Sequence, residues 1–327
     1  MSIINGLRIR MYVTMALVFA IGFGIVYALL LYLGAGMGFI VPLAMMFFIM
    51  QWYLSPVLLK MGMKLHYLEK GERPELQEMV RELAKNANVP MPKVAIAPVN
   101  DPNAFVFGRT VKSATLVVHQ GLLNMLDKDE LRAVLAHEMG HLKHMDIVVM
   151  AVVAFIPAIA IMIAQNLFFS SMFGGRGGQK NSGMSLAVIG IAAFVVYLVS
   201  QLLVFSLSRA RESYADRHSA AVTKRPDLLA SSLMKITAHN RGAQSSPNAA
   251  RAFYIVDFLN VEKDIKEIKA HEKEIRKLLP NLDIDSLVEE ARQSKKSAVN
   301  SFASLFSTHP STYRRIIDLA TSNNEEG

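Results

Sequence analysis

The chain has 327 residues, 52% of them hydrophobic, no cysteine and a formal net charge of +8. Without cysteine it can form neither a disulfide framework nor a thiolate metal site, which fits a reducing compartment. The basic residues are dispersed, with no stripe interleaved with aromatics, so a nucleic-acid-binding role is excluded.

The apolar excess comes in blocks. Residues 11–33, 41–59, 147–169 and 184–207 carry no Asp, Glu, Lys or Arg. A bilayer core takes about 20 apolar residues in a helix, so four transmembrane helices are expected. Pro42, Gln51 and Pro56 interrupt the second. Pro157 is expected to kink the third. The first block is too long for a cleaved signal peptide and no small-residue cleavage site precedes a polar chain. Arg8 and Arg10, Lys60 and Lys64, then Arg209, Arg211 and Arg217 flank these blocks. The positive-inside rule makes those flanks cytoplasmic, attracted to anionic lipid, with residues 34–40 outside. The glycine-rich loop 170–183 carries only Arg176 and Lys180. Both termini are then cytoplasmic in a multi-pass protein of the plasma membrane.

The expected organisation has four parts. Residues 1–59 form a transmembrane hairpin. Residues 60–146 form a cytoplasmic part, and 147–207 a second hairpin. Residues 208–327 form a second cytoplasmic part ending in helices. The fold class is mainly α with a small β element.

Within 60–146, residues 72–87 place Leu76, Met79, Val80, Leu83 and Ala87 on one helical face, and Pro90 and Pro92 end it. Residues 93–97 and 114–119 alternate as short strands. Residues 103–107 lie between them as a possible edge strand. Asp127 and Glu130 then make an Asp-x-x-Glu capping box for a helix whose Leu131, Val134, Leu135 and Leu142 recur at helical spacing. Residues 241–251 read as a loop, 253–279 as a mostly charged helix, 284–298 as another, and 322–327 as a frayed end.

The capped helix carries His137-Glu138-Met139-Gly140-His141, the pattern H-E-x-x-H. Four-residue spacing puts both imidazoles on one face, where they can share one Zn²⁺ at about 2.0–2.1 Å. Glu138 beside them could take a proton from an attacking water and return it to a leaving amine. The bland alternative is a helix with two surface histidines. Against it stands the cost of leaving such polarity in an otherwise apolar helix. A catalytic site needs a third protein ligand. Six residues after His141, where one zinc-protease class has a third histidine, stands Ile147. His144 shares the helix face but follows too closely, and is expected beside the site or in an interface. Glu212, with Asp216 four residues on, presents two acids to one side of a helix. Glu212 could be the third ligand and Asp216 the acceptor of a ligating imidazole's N–H. Equally, both could be solvated charges in an Arg-rich juxtamembrane helix; spacing does not choose. His66, His119, His218, His239 and His271 have no partner pattern and read as structural or surface residues.

Three segments together resemble the HtpX-type membrane zinc metalloproteases, gluzincins related to the CAAX prenyl proteases: LRAVLAHEMGHLKHMD, SRARESYAD and THPSTYRRI. The resemblance implies a zincin-like cytoplasmic domain holding one Zn²⁺ per chain through His137, His141 and Glu212. It implies Glu138 as general base and Asp216 near the metal. It further implies Asn103, Ala104 and Phe105 as a strand along which substrate backbone adds, and His309 and Arg314 beside the reacting carbonyl. His144 departs from the family pattern, and the match loosens beyond residue 241. Protein or peptide substrates are implied, especially misfolded or damaged membrane proteins, in quality control under stress. A dedicated processing protease is the alternative among enzymes. Outside enzymes the alternative is a membrane scaffold or chaperone with a structural zinc, but such a site needs no general base and usually closes with a fourth ligand. A transporter is disfavoured, since the blocks carry no ionisable residue at mid-depth.

Overall fold

Short β-rich runs and long amphipathic helices sort into a mixed sheet covered by helices. The computed structural model describes residues 63–173, 182–240, 261–280 and 309–322, with isolated positions between 46 and 61 and at 255, 282 and 284. The first apolar block and most of the second, the loop 241–251, and nearly all of 284–298 lie outside the described residues.

Four strands form one sheet in the order β1-β2-β4-β3: β1 (His66–Tyr67), β2 (Lys93–Ala97), β3 (Ala104–Phe107) and β4 (Thr115–His119). β2 and β4 run parallel with Lys93 opposite Thr115, and β3 lies antiparallel to β4 with Ala104 opposite Val118. All five residues of β4 are buried, as befits a central strand. β3 is an edge strand. Its side chains alternate between two cores: Ala104 joins the main cluster, while Phe105 and Phe107 pack with Ala97 and Val117 in a smaller one. β1 escaped sequence reading because two residues carry no periodicity.

α1 (Pro74–Ala87) begins with proline in its first turn and ends at Asn88 in the left-handed region, both common boundary signals. It buries the expected face, Leu76, Met79, Val80, Leu83 and Ala87. A short helix α2 (Gln120–Met125) leads to α3 (Lys128–Lys143). The Asp127 side chain accepts the N–H groups of Asp129 and Glu130, each at 2.9 Å, while Glu130 accepts that of Asp127 at 3.2 Å, completing the capping box.

The third apolar block is two helices, α4 (Asp146–Val153) and α5 (Phe155–Phe173), broken three residues before Pro157, the residue expected to kink it. Pro157 has no N–H to donate to the Val153 carbonyl, and the break falls at Ala154, where that turn would close. α5 also runs four residues into the expected loop. The fourth block lies within α6 (Ser182–Thr223), which continues without interruption past its apolar part into SRARESYAD. Among the described residues α6 alone is long and apolar enough to cross a membrane as one helix. α3 and the helix after it form a second such segment only as a pair bent by 58°. α7 (Pro226–Asn240) follows. Among its described residues the charged stretch is not one helix but two, α8 (Val261–Ala270) and α9 (Glu272–Leu278), broken at His271. α10 (Thr312–Ser322) is the last element among the described residues.

The chain divides into two units, residues 1–55 with 149–207, and residues 56–148 with 208–327. In the first, Ala164, Leu167 and Ala193 pack together. In the second, α1, α3, α7 and α10 pack with Leu116 and Val118 of the sheet in one large core.

Candidate metal centre

α3 carries His137, Glu138 and His141 in the second unit, and the polar continuation of α6 runs beside it. Gly140 makes the close approach possible. A Cβ there would stand 2.9 Å from the Ala215 backbone and 3.1 Å from the His218 Cβ. Ser219 adds a hydrogen bond to the Ala133 carbonyl at 2.7 Å.

At this crossing His137 Nε2 and His141 Nε2 stand 3.1 Å apart. Glu212 brings Oε2 to 3.6 Å from the first and Oε1 to 3.5 Å from the second. Ligands held tetrahedrally at about 2.0–2.1 Å stand about 3.3–3.4 Å from one another. The three side chains therefore have the spacing of a His₂Glu metal site. Oε2 of Glu212 is buried and accepts no hydrogen bond among the described residues. Glu138 supplies a further oxygen within 4.8 Å of the imidazole nitrogens.

Each imidazole is backed by a carboxylate. Asp216 Oδ1 lies 2.9 Å from His137 Nδ1, and Asp146 Oδ2 lies 2.6 Å from His141 Nδ1. A proton on each Nδ1 leaves the Nε2 lone pairs facing each other and Glu212. Asp216 in turn accepts two hydrogen bonds from Arg315, at 2.9 and 2.6 Å. Arg315 also approaches Glu212 Oε2 at 3.4 Å and donates to the Ile255 carbonyl at 2.7 Å. Asp146 forms an ion pair with Arg211.

Burial sets the protonation states. It pulls His141 down to about 4, against the pull of Glu212, and lowers His137 against Asp216. Both imidazoles are thus neutral at neutral pH, as metal ligands must be. Burial acts to raise Glu212, but His309, Arg315 and His141 outweigh it and hold the carboxylate well below its usual range. Burial, reinforced by the Glu212 charge, pushes Glu138 well above the usual range, against Arg315 and the backbone of Val106 in β3. Two neighbouring carboxyls thus have opposite tendencies, one a permanent anion and one able to exchange a proton.

The sequence-predicted residues distribute unevenly. His137, Glu138, His141, Glu212 and Asp216 come together. His309 joins them, with Nδ1 3.3 Å from Glu212 Oε1. Arg314 does not; its side chain is exposed, and the neighbouring Arg315, 2% exposed, is the guanidinium in the site. Position along α10 decides this, since one residue rotates a helix by about 100°. His144 packs against Tyr214 with ring centres 5.0 Å apart and the planes tilted by 42°. Asn103 uses its side-chain oxygen to accept the Ile255 N–H at 3.0 Å, and Ala104 and Phe105 are buried. What residues 103–105 can offer a ligand is therefore backbone at a sheet edge, not side chains. Asp146, Arg211 and Arg315 were missed. A buried Arg near an acid pair was the available signal for the last two, but two equally plausible neighbours, Arg209 and Arg314, hid it.

The sequence pattern of peptidase family M48 matches residues 70–322, most of the chain. The chain belongs to peptidase family M48. It is a membrane-associated metalloprotease, a peptide-bond hydrolase of the HtpX type. A protease HtpX homolog of Methanothermobacter thermautotrophicus is 40% identical over 235 residues, 70% of this chain and 85% of that one. One from Aeropyrum pernix is 35% identical and covers 86% of each chain. One from Thermoplasma acidophilum is 34% identical over 316 residues, 91% of this chain and 92% of that one. Among solved structures, S. mikatae Ste24p aligns with a TM-score of 0.52 over 96% of this chain and 66% of that one. At 19% identity that likeness speaks for the fold.

Proposed function

We propose that the chain is a zinc endopeptidase of the plasma membrane, acting at its cytoplasmic surface. Its metal is held by His137, His141 and Glu212. The observation that carries this is the convergence of two imidazole nitrogens and one carboxylate at 3.1 to 3.6 Å. Zinc, when bound there, supplies Lewis acidity that polarises the scissile carbonyl and lowers the pKa of the attacking water toward about 7. Glu138 accepts the proton of that water and delivers it to the departing amine. Its raised pKa suits it to both halves of that exchange. Asp216 holds the His137 tautomer, and Arg315 holds Asp216 and Glu212 in register. His309, on the Glu212 side, is placed to share charge developing on the carbonyl oxygen. The edge strand β3 flanks Glu138 through Val106, so an extended substrate can add its backbone there while Ala104 and Phe105 stay in the core.

The four apolar blocks support four spans with both termini and both polar parts in the cytoplasm. We read the substrates as misfolded or damaged membrane proteins, met during stress. A site built around backbone pairing supports that breadth, because it selects extended chain over side-chain identity. A scaffold role is disfavoured by Glu138, which a purely structural zinc would not need.

The test is cleavage of an unfolded reporter protein in detergent by wild type and Glu138→Gln, each with zinc and with chelator. Only wild type with zinc should cut, and Glu138→Gln should retain its zinc. Stoichiometric zinc with no cleavage under any condition would transfer support to the scaffold reading.

A further inference from the structure

His141 is supported by a residue that sequence spacing hides. Asp146 follows it by five positions. Along an unbroken helix that offset is about 500°, or about 140° away from the His141 face. The chain instead turns at Met145, which has φ of 56°, and Asp146 opens α4. The left-handed turn brings the carboxylate back over the end of α3, with Oδ2 2.6 Å from His141 Nδ1. The other oxygen, Oδ1, meets the guanidinium of Arg211. Asp146 is 8% exposed and Arg211 2%. Burying such a pair is costly, and a pair of this kind is weak evidence for stability by itself. Its place is more telling. Arg211 immediately precedes Glu212 on α6, so one stretch of helix carries both the carboxylate facing the Nε2 atoms and the anchor for the acid behind His141.

The arrangement repeats on the other side of the site. His137 Nδ1 meets Asp216, and Asp216 meets Arg315. Both imidazoles thus end an Arg–Asp–His chain.

We propose that Asp146, held by Arg211, is a positioning residue that orients and polarises His141 as a metal ligand, as the counterpart of Asp216 at His137. This rests on the His137, His141 and Glu212 ligand set proposed above. A carboxylate behind a ligating imidazole fixes which nitrogen bears the proton and raises the donor strength of the other; losing one typically weakens metal binding by about 10–100-fold. Arg211 holds the second carboxylate oxygen and stops the group rotating away.

The test measures zinc affinity of the full-length, detergent-solubilised chain by competition with a chromophoric chelator. The visible spectrum of the Co²⁺-loaded chain is recorded alongside. Asp146→Asn should weaken zinc by about 10–100-fold and shift the Co²⁺ bands, and Asp146→Glu should recover part of both. Glu130→Gln serves as the structural control, because Glu130 is another buried acid, paired with Lys235 and about two helical turns before His137 on α3. It should change neither readout. His141→Ala should lose far more affinity than Asp146→Asn. If Asp146→Asn does not fold, Arg211→Lys replaces it, with a smaller loss expected in the same direction. Native affinity with an unchanged Co²⁺ spectrum in the folded Asp146 or Arg211 variant would overturn the proposal while leaving the ligand set intact. An equal loss in Glu130→Gln would overturn it too, as general loosening. Native affinity in His141→Ala would remove the ligand set itself, and this inference with it.

Discussion

Arg314 and Arg315 differ by one position and by almost everything physical. Arg315 is buried against two ionised carboxylates, while Arg314 is exposed. Removing one partner of a buried ion pair leaves an uncompensated charge and costs about 3–5 kcal/mol. Arg315→Ala is therefore expected to destabilise the chain by that amount and to abolish cleavage. Arg314→Ala should stay within about 0.5 kcal/mol of wild type and keep its activity. Thermal unfolding and reporter cleavage on the pair check both. At this scale the H-E-x-x-H residues were legible because their relation is local, one turn of one helix. Arg315 was missed although Ile316, Leu319 and Ala320 mark the inward face of α10, on which Arg315 and not Arg314 lies. Glu138 has its own signature. Burial and Glu212 push it well above the usual carboxyl range. The base must be ionised to act, so the rate falls as pH falls. The acid limb of the pH–rate profile should lie above about 4.3, the ordinary Glu value, and belong jointly to Glu138 and the attacking water.

Elements meet at two places that the sequence patterns left unmarked. Gly140 sits inside the motif as an ordinary "x", yet a Cβ there would press on the Ala215 backbone. Alanine is the better helix former by about 1 kcal/mol, but α3 and α6 would have to part to admit it. Gly140→Ala is expected to lower stability by about 1–3 kcal/mol net and reduce zinc affinity, because the displaced helices carry the ligands. The second place is the start of α10. Asp264 of α8 is 1% exposed and accepts hydrogen bonds from the backbone and side chain of Thr312. Burial nevertheless raises its carboxyl to about 7, with Glu267 adding repulsion against those bonds and Lys263. The folded state therefore binds this proton more tightly than the unfolded one. Its stabilising effect is complete below about pH 4 and is lost as pH rises through about 7. The slope is at most about 1.4 kcal/mol per pH unit in that window. Asp264→Asn should remove it, so the difference in unfolding temperature between the variants should grow from pH 4 to 7 and then level off. The capping box of α3 and the Pro74 start of α1 show the opposite case, boundaries set within four residues and recoverable without the fold.

For the whole molecule, metal binding and membrane topology are the measurable properties. A ligand bound only by the folded chain stabilises it by RT ln(1 + [L]/Kd), about 4 kcal/mol at a thousandfold excess over Kd. Chelation should therefore lower the unfolding temperature of wild type and leave that of His137→Ala nearly unchanged. The cysteine-free sequence also allows a direct topology test. Single cysteines replacing Ser2, Gly36, Gly178 and Glu325 should label from the cytoplasmic side at the two termini and from the outer side at the two internal positions. Outside labelling at either terminus would overturn the four-span arrangement.

What the sequence determined by itself was whatever depends on neighbours within a few turns of chain. The apolar blocks, the amphipathic face of α1, the cap of α3, the strands β2 and β4 and the paired imidazoles are all periodicities of this kind. The edge position of β3 was also anticipated, because its short apolar run lies between two stronger strands. Resemblance to a family then joined Glu212 and Asp216 to the histidines across a gap that spacing could not bridge. The tertiary structure alone decided which side chains close the site. Asp146 reaches His141 through a left-handed residue, Arg211 and Arg315 reach the carboxylates by helix phase, and Asn103 turns inward to Ile255. It also divided the charged stretch at His271. Each of these depends on where one element lies against another, and burial makes such placements energetically decisive although no local pattern encodes them.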